Sequence, residues 1–233
     1  MREGGLVLRK VLDQLSAAVV AGMRTRDIDD LVEQEFRKRG VVASFKGYHG
    51  YPASVCVSIN DEVVHGIPGT RVIREGDVVS LDLGVLHRGF HTDAAVTVGV
   101  GDVAAGAKRL IEVTKAALEE GVKFARAGNF LGDVSAAIQR HVEANGFAVV
   151  REYTGHGVGR ELHEEPQIPN FCCGKGPVLR KGMTLAIEPM VTSGGWRTKL
   201  APNRWTVLTM DGSLAAHFEH TVVVTEGEPE LFA

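Results

Sequence analysis

Five side chains in this sequence have the chemistry to hold a cation and lack the partners that would make them ordinary charges. Asp82 and Asp93 lie in LDLGVLHRGFHTDAA, residues 81–95, which reads as two short strands joined by a tight turn around His87 and Arg88, with Gly89 supplying positive φ just after it. With that loop, Asp82 faces Asp93 across the hairpin. Opposed side chains in an antiparallel pair sit ~4.5–5.5 Å apart at Cβ, and two like charges there repel unless something cationic lies between them. Three further polar residues interrupt apolar strands: Glu188 in MTLAIEPM, Glu219 in AAHFEHTVVV, and His156 in TGHGVG, between glycines that let backbone and ligand approach closely. Any one of these alone reads as half of a buried ion pair or a satisfied core polar group. Together they read as ligands, because most have no basic residue close by in sequence.

Four carboxylates and one imidazole suit hard or borderline divalent ions such as Mn²⁺, Fe²⁺ or Co²⁺, and carboxylates can bridge two of them. Structural zinc would want cysteine and histidine instead. Two ions ~3.5–4 Å apart can lower the pKa of a shared water and polarise a carbonyl, which points to hydrolysis, as in an aminopeptidase or a phosphatase.

The elements that must position these residues follow from apolar spacing. Val7, Val11, Leu12, Leu15, Ala18 and Val19 predict a helix over residues 6–21, ended by Gly22. Thr25 or Asp27 caps a second helix with Ile28, Leu31, Val32 and Glu35 or Phe36 inward, stopped by Gly40. SFKGYHGYP is an ordered loop, and SVCVSIN and DVVSLDLGV are strands. A long helix over 104–125 and a second one closed by Asn145-Gly146 follow. Then come the strand FAVVREY, the Gly-rich segment GHGVGRELHEEP, the strand of LRKGMTLAIEPM, and RWTVLTMDGSLAAHFEHTVVVT as a hairpin about Asp211-Gly212. Helices then strands, twice over with no Pro- or Ser-rich linker, predict one α+β domain, residues 1–233, with an internal pseudo-repeat of halves near 1–103 and 104–233.

A chain of 233 residues, 44% hydrophobic and 24% charged, can bury a sizeable core, and a net charge of −3 argues against a nucleic-acid surface or a polybasic membrane patch. Cys56, Cys172 and Cys173 neither pair up nor fit a C-x-x-C pattern, so reduced thiols and a cytoplasmic location are expected. No apolar run reaches ~18 residues and the N-terminus has no A-x-A cleavage site, so no membrane span or leader is expected.

GYHGYPASVCVSIN, HGIPG, SLDLGV with GFHTDAA, REYTGHGVGRELHEEPQIPN, MTLAIEPM and FEHTVVV together make the chain resemble the type I methionine aminopeptidases along nearly its whole length. The resemblance implies a pita-bread fold, an antiparallel sheet core flanked by helices with pseudo-twofold symmetry. It implies removal of the initiator methionine when the second residue is small, with two divalent ions, cobalt, manganese or iron. In that comparison Asp82 chelates one metal, Asp93 and Glu219 bridge both, and His156 and Glu188 complete the other site. His65 in VVHGIP and His163 in GRELHEEP become histidines over the substrate that shuttle protons or donate to an oxyanion, with Glu188 assisting as acid or base. His163 lies seven residues past His156, not at the i, i+4 spacing of a zinc protease helix. Tyr48, Tyr51, Cys56 and Trp205 take the place of a methionine pocket, where a thioether gains from aromatic contact.

Phe45 and Leu162 depart from the cysteine and larger aromatic expected at those positions, which alters the pocket's shape. The N-terminus is short for the family and lacks a zinc-binding extension, and no helical insertion lies between His163 and Glu188, so a short bacterial type I form fits best. The implied partners are the N-terminal Met of nascent polypeptides and the ribosome, with no nucleic acid and no membrane, and the implied working form is a monomer. Two rivals are a prolidase-like Xaa-Pro peptidase, whose members carry an extra N-terminal domain, and a peptidase-like peptide-binding module that has lost its metals. The five ligand-type residues speak against the second.

Overall fold

The computed structural model describes residues 1–233. Its first half holds α1 (Arg2–Ala18), α2 (Thr25–Arg39), β1 (Val42–Ala43), β2 (Cys56–Ile59), β3 (Glu62–Val64), β4 (Val78–His87) and β5 (Phe90–Gly99). The second half holds α3 (Ala105–Val122), α4 (Leu131–Ala144), β6 (Ala148–Val149), β7 (Thr154–Gly157), β8 (Glu164–Pro169), β9 (Thr184–Ile187) and β10 (Met190–Thr192). It is completed by β11 (Thr198–Leu200), β12 (Val207–Thr209), β13 (Ala215–His217), β14 (Glu219–Val223) and β15 (Glu230–Leu231).

Each helix forms where apolar residues recur on one face. In α1 Leu8, Val11, Leu12 and Leu15 are buried, and in α2 Ile28, Val32 and Phe36 are. The Asp27 carboxylate accepts the Arg24 N–H at 2.8 Å to close the first turn of α2, and Gly40 ends it at φ 66°. Helix α1 starts earlier than its apolar stripe indicates, because Gly4 and Gly5, poor helix formers in isolation, are buried by tertiary packing. It also ends earlier, at Ala18, leaving Gly22 in the turn beyond.

The helices cover two apolar cores. Leu8, Ile28, Leu81 and Leu83 belong to one; Leu110, Leu118, Ile138 and Ile187 belong to the other. Val96 on β5 packs against both. A nine-stranded sheet runs across the two halves in the order β1-β4-β5-β14-β9-β7-β8, with β2 also on β4 and β15 on β14, and its strand pairs are antiparallel. The β5–β14 pair is the join between the halves. Two smaller sheets, β13-β10-β6 and β11-β12-β3, lie beside it.

Two further expectations are corrected. The β4–β5 turn is Arg88-Gly89, not His87-Arg88, with His87 paired to Phe90. Both turn residues have positive φ, 51° and 80°, the mirror-image turn whose twist matches the flanking strands. The register therefore moves by two residues, so that Asp82 faces Ala95 and Asp93 faces Gly84. The second correction concerns Asp211-Gly212, which is a turn, but its arms do not pair with each other. Strand β12 joins β11 and β3, whereas β13 joins β10. The β2–β3 turn sits between the arms: Thr209 N donates to Asp61 O at 2.9 Å and Ala215 N to Asn60 O at 2.8 Å.

Candidate active site

The two-residue shift keeps Asp82 and Asp93 on one face of the sheet, because side chains alternate with period two. Opposite Asp93 stands Gly84, where a Cβ would lie 2.7 Å from Ser44 Cβ and 3.0 Å from the Phe45 ring; its lack of a side chain lets the 44–52 loop close over this face. Asp93 is tied to the neighbouring strand by Thr221, whose Oγ1 accepts the Asp93 N–H and donates to the Asp93 carbonyl, both at 2.8 Å. That bond fixes β14 beside β5 and puts Glu219 next to Ala95. His156 enters from β7, paired with Ala186 of β9, and Glu188 follows just beyond the end of β9. Buried Asn170 donates its Nδ2–H to the Glu188 carbonyl at 3.0 Å.

The five ligand-type residues thus come together from five places in the chain. Ligand atoms of Asp93, His156 and Glu219 lie within 4.8 Å of one another. Glu188 Oε1 is 3.6 Å from His156 Nε2. His156 Nδ1 is 2.8 Å from Gly157 O, so Nδ1 carries the proton and donates it, leaving the Nε2 lone pair directed elsewhere. Burial lowers the His156 pKa to about 4 and keeps that neutral form at pH 7.

The carboxylates are the reverse case. Burial, followed by the neighbouring Glu188, raises Asp93 to about 8; burial raises Glu188 to about 8; burial and the other carboxylates raise Asp82 and Glu219 well above the usual range. Asp82 Oδ1 and Glu219 Oε1 are buried with no hydrogen-bond partner, and no Lys or Arg lines the cavity they share. Orphaned buried carboxylate oxygens, a preset imidazole lone pair and no basic counterion are what a divalent cation site requires, so the residues fit such an ion.

One cavity of about 130 Å³ joins these ligands to the other residues singled out in the sequence. His65, His163, Tyr48, Tyr51, Cys56 and Trp205 all line it, and so do Phe45 and Leu162. His65 is held at φ 60°, an uncommon conformation for a residue with a side chain and one concentrated at functional sites. Burial, then His217 and His163, lowers its pKa to about 4. The His163 ring lies tilted against His156 with ring centres 4.1 Å apart, it stacks on Tyr48 at 5.2 Å, and its Nδ1 is 2.8 Å from the Tyr48 hydroxyl. Burial, then His49 and His91, lowers the His163 pKa. The apolar wall is aromatic: Tyr51 and Trp205 meet edge to face at 5.1 Å. Cys56 pairs directly across from Asp82, and burial with that neighbour pushes its thiol pKa up.

Sequence reasoning missed three residues. Thr221 and Asn170 hold the backbone of Asp93 and Glu188, and no motif signals such a role. His217 completes a second close group with Glu188 and Glu219, again within 4.8 Å. The only hint was its place two residues before Glu219 in HFEH.

Residues 1–226 match Metallopeptidase family M24. The chain belongs to that family. This metallopeptidase is 47% identical over 232 residues to the methionine aminopeptidase of Clostridium perfringens, covering 99% of this chain and 93% of that protein. It is 47% identical over 227 residues to methionine aminopeptidase 1 of Bacillus subtilis, covering 97% and 92%. The crystal structure of methionine aminopeptidase from Thermotoga maritima superposes with a TM-score of 0.98 at 49% identity, covering 100% of this chain and 94% of that one. The pita-bread fold, α+β with antiparallel sheets and four helices, is thereby established. Prolidase from Pyrococcus furiosus shares it at a TM-score of 0.81 and 21% identity, covering 99% of this chain and 61% of that one, which speaks to the fold alone. The family's chemistry and the buried ligand set make this metallopeptidase a user of divalent metal. No helix is long and apolar enough to cross a membrane.

Proposed function

We propose that this chain is a methionine aminopeptidase that removes the N-terminal Met of peptides and nascent polypeptides when the second residue is small. The observation that carries the reading is the single cavity with acidic ligands and His156 on one wall and Phe45, Tyr48, Tyr51, Cys56, Leu162 and Trp205 on the other. A flexible thioether gains from such aromatic walls, and the apolar wall adjoins the ligands. Two close groups that share Glu219, one with Asp93 and His156 and one with Glu188, support this reading, in which Asp82, Asp93, His156, Glu188 and Glu219 would hold two divalent ions. Two divalent ions held there would supply a Lewis acid for the scissile carbonyl and a water of lowered pKa.

The protein's own groups do the rest. The aromatic wall holds the methionine side chain and excludes water from it. When the Tyr48 hydroxyl donates to His163 Nδ1, the proton of the neutral ring sits on Nε2 and can be donated to the developing oxyanion. His65, neutral at pH 7, is the second histidine over the substrate and moves a proton near the scissile amide. Glu188 takes up a proton and returns it to the leaving amine. The free, unpaired cysteines fit a reducing cytoplasm, and we place the reaction there, on chains leaving the ribosome, with the enzyme acting as a monomer.

Purified protein with Mn²⁺ or Co²⁺ should release Met from a Met-Ala-Ser peptide and leave Xaa-Pro peptides intact. Cleavage of Xaa-Pro in preference to Met-Ala, or metal analysis finding an intact protein that takes up no ion, would defeat the reading.

A further inference from the structure

His217 is the buried titratable group next to the ligands that the mechanism does not use. It is 1% exposed and lines no part of the cavity, so it cannot touch substrate. Its Nε2 lies 3.2 Å from Glu188 Oε2, while the other oxygen of the same carboxylate, Oε1, points toward His156 Nε2 at 3.6 Å. Glu188 is thus flanked by an imidazole on each oxygen. Buried His217 Nε2 makes no hydrogen bond in this structure, and Glu188 Oε2 stands at ion-pair distance without hydrogen-bond alignment. An ionised carboxylate only accepts, so the contact is favourable when the neutral ring carries its proton on Nε2.

The placement is built rather than incidental. Glu188 and His217 both sit where the chain crosses between sheets: Glu188 between β9 of the large sheet and β10 of the small one, and His217 at the end of β13, separated from β14 by Phe218 alone. At this seam Met190 pairs with His217. The His217 backbone is clamped by Thr97, whose Oγ1 accepts the His217 N–H at 2.8 Å and donates to the His217 carbonyl at 2.7 Å. Ser80 Oγ, 2.8 Å from Thr97 Oγ1, donates to it in turn, so the ring is anchored through the β4–β5 hairpin that carries Asp82 and Asp93.

We propose that His217 is a positioning residue for Glu188: once a cation is held, its Nε2–H aligns on Oε2, 3.2 Å away, as a donor and keeps Oε1 turned toward His156 and the cation. The role belongs to this chain's own seam and lies outside the five-ligand set. It rests on the reading of Glu188 as a ligand.

The test uses the full chain with Mn²⁺ as the probe and calorimetric titration as the readout. His217→Leu keeps the bulk and loses the donor, and its Mn²⁺ affinity should fall about 10–100-fold, the usual cost of removing such a partner. His217→Gln restores an N–H at the same reach and should stay within about threefold of wild type, whereas a packing role alone would predict similar losses in both. A Leu variant that binds like wild type, or a Gln variant as weak as Leu, overturns the proposal. Pulsed electron paramagnetic resonance on wild-type protein with Mn²⁺ should detect one coordinated imidazole nitrogen. Two would make His217 a direct ligand and overturn the positioning role without any variant. Wild-type protein that bound no Mn²⁺ would defeat the ligand reading of Glu188 itself, whereas tight binding by both wild type and His217→Leu would defeat this inference alone.

Discussion

Asp82 and Asp93 are diagonal neighbours across the β4–β5 hairpin: Asp82 stands opposite Ala95, and Asp93 opposite Gly84. Diagonal positions on one face are ~7–8 Å apart, so the two carboxylates do not clasp one ion between opposed side chains but reach into a shared space from offset positions. Asp93 is the nearer of the two to the second half's ligands, grouped with His156 and Glu219, whereas Asp82 falls outside both close groups. The two should therefore differ in consequence. Asp93→Ala should abolish Met release and the binding of both ions, and Asp82→Ala should leave one ion bound. Calorimetric titration with Mn²⁺ counts them, and equal losses in the two variants would contradict the assignment.

The metal-free protein should lose stability as pH rises from about 6.5 to 8. Asp93 and Glu188, raised to about 8 by burial, stay protonated in the fold where the unfolded chain has released those protons, so the folded state binds more protons and stability falls with pH. The histidines work oppositely but lower down. His156 and His65 at about 4, and His217 at about 3, charge more readily when unfolded, so their contribution grows as pH rises toward about 6.5 and is then constant. Melting of chelated protein should thus drop by several degrees between pH 6.5 and 8, at ~2–4 °C per kcal/mol for a chain of this size. Added Mn²⁺ should reverse the drop, since a bound ion stabilises the folded state by mass action.

Tyr48 does more than wall the pocket, because its hydroxyl, 2.8 Å from His163 Nδ1, can donate there and leave the ring proton on Nε2. Tyr48→Phe keeps the ring and should lower kcat about tenfold with KM nearly unchanged. His163→Ala removes the donor itself and should lower kcat by ~10²-fold or more. Steady-state kinetics on a Met-Ala-Ser peptide separates the two, and a Tyr48→Phe variant that changed KM alone would show the hydroxyl to be a binding group.

Trp205 completes the apolar wall by its edge-to-face contact with Tyr51, and it is held on its loop by Asn203 Oδ1, which accepts the Trp205 N–H at 3.0 Å. Trp205→Ala should cost about 1–2 kcal/mol of methionine binding, raising KM roughly 5–30-fold with a smaller change in kcat. The check is the same peptide assay with norleucine in place of Met. Norleucine keeps the shape without the sulfur, so the wild type should discriminate between the two more than the variant does.

Much of this protein could be read without coordinates, and the reason is local. Amphipathic spacing in α1 to α4 and the helix stop at Gly40 need only a few consecutive residues. The carboxylates at Asp82, Asp93, Glu188 and Glu219 stood out because a charge inside an apolar strand is costly without a partner. What local spacing left undecided was settled by contacts between distant segments. The turn of the β4–β5 hairpin could fall one residue either way, and a one-residue change in the loop moves the facing register by two. The arms about Asp211-Gly212 read as a hairpin until the β2–β3 turn took their hydrogen bonds.

By itself, then, the sequence determined which residues would be costly to bury alone, and it pointed to a cation as their common partner. Only the tertiary structure decided how they meet. The link between Thr221 and Asp93 spans 128 residues, and the seam that brings His217 against Glu188 depends on two strands leaving one sheet for another. Pairings at such separations carry no trace in a window of neighbours, because their free energy comes from closing the fold and not from any local pattern.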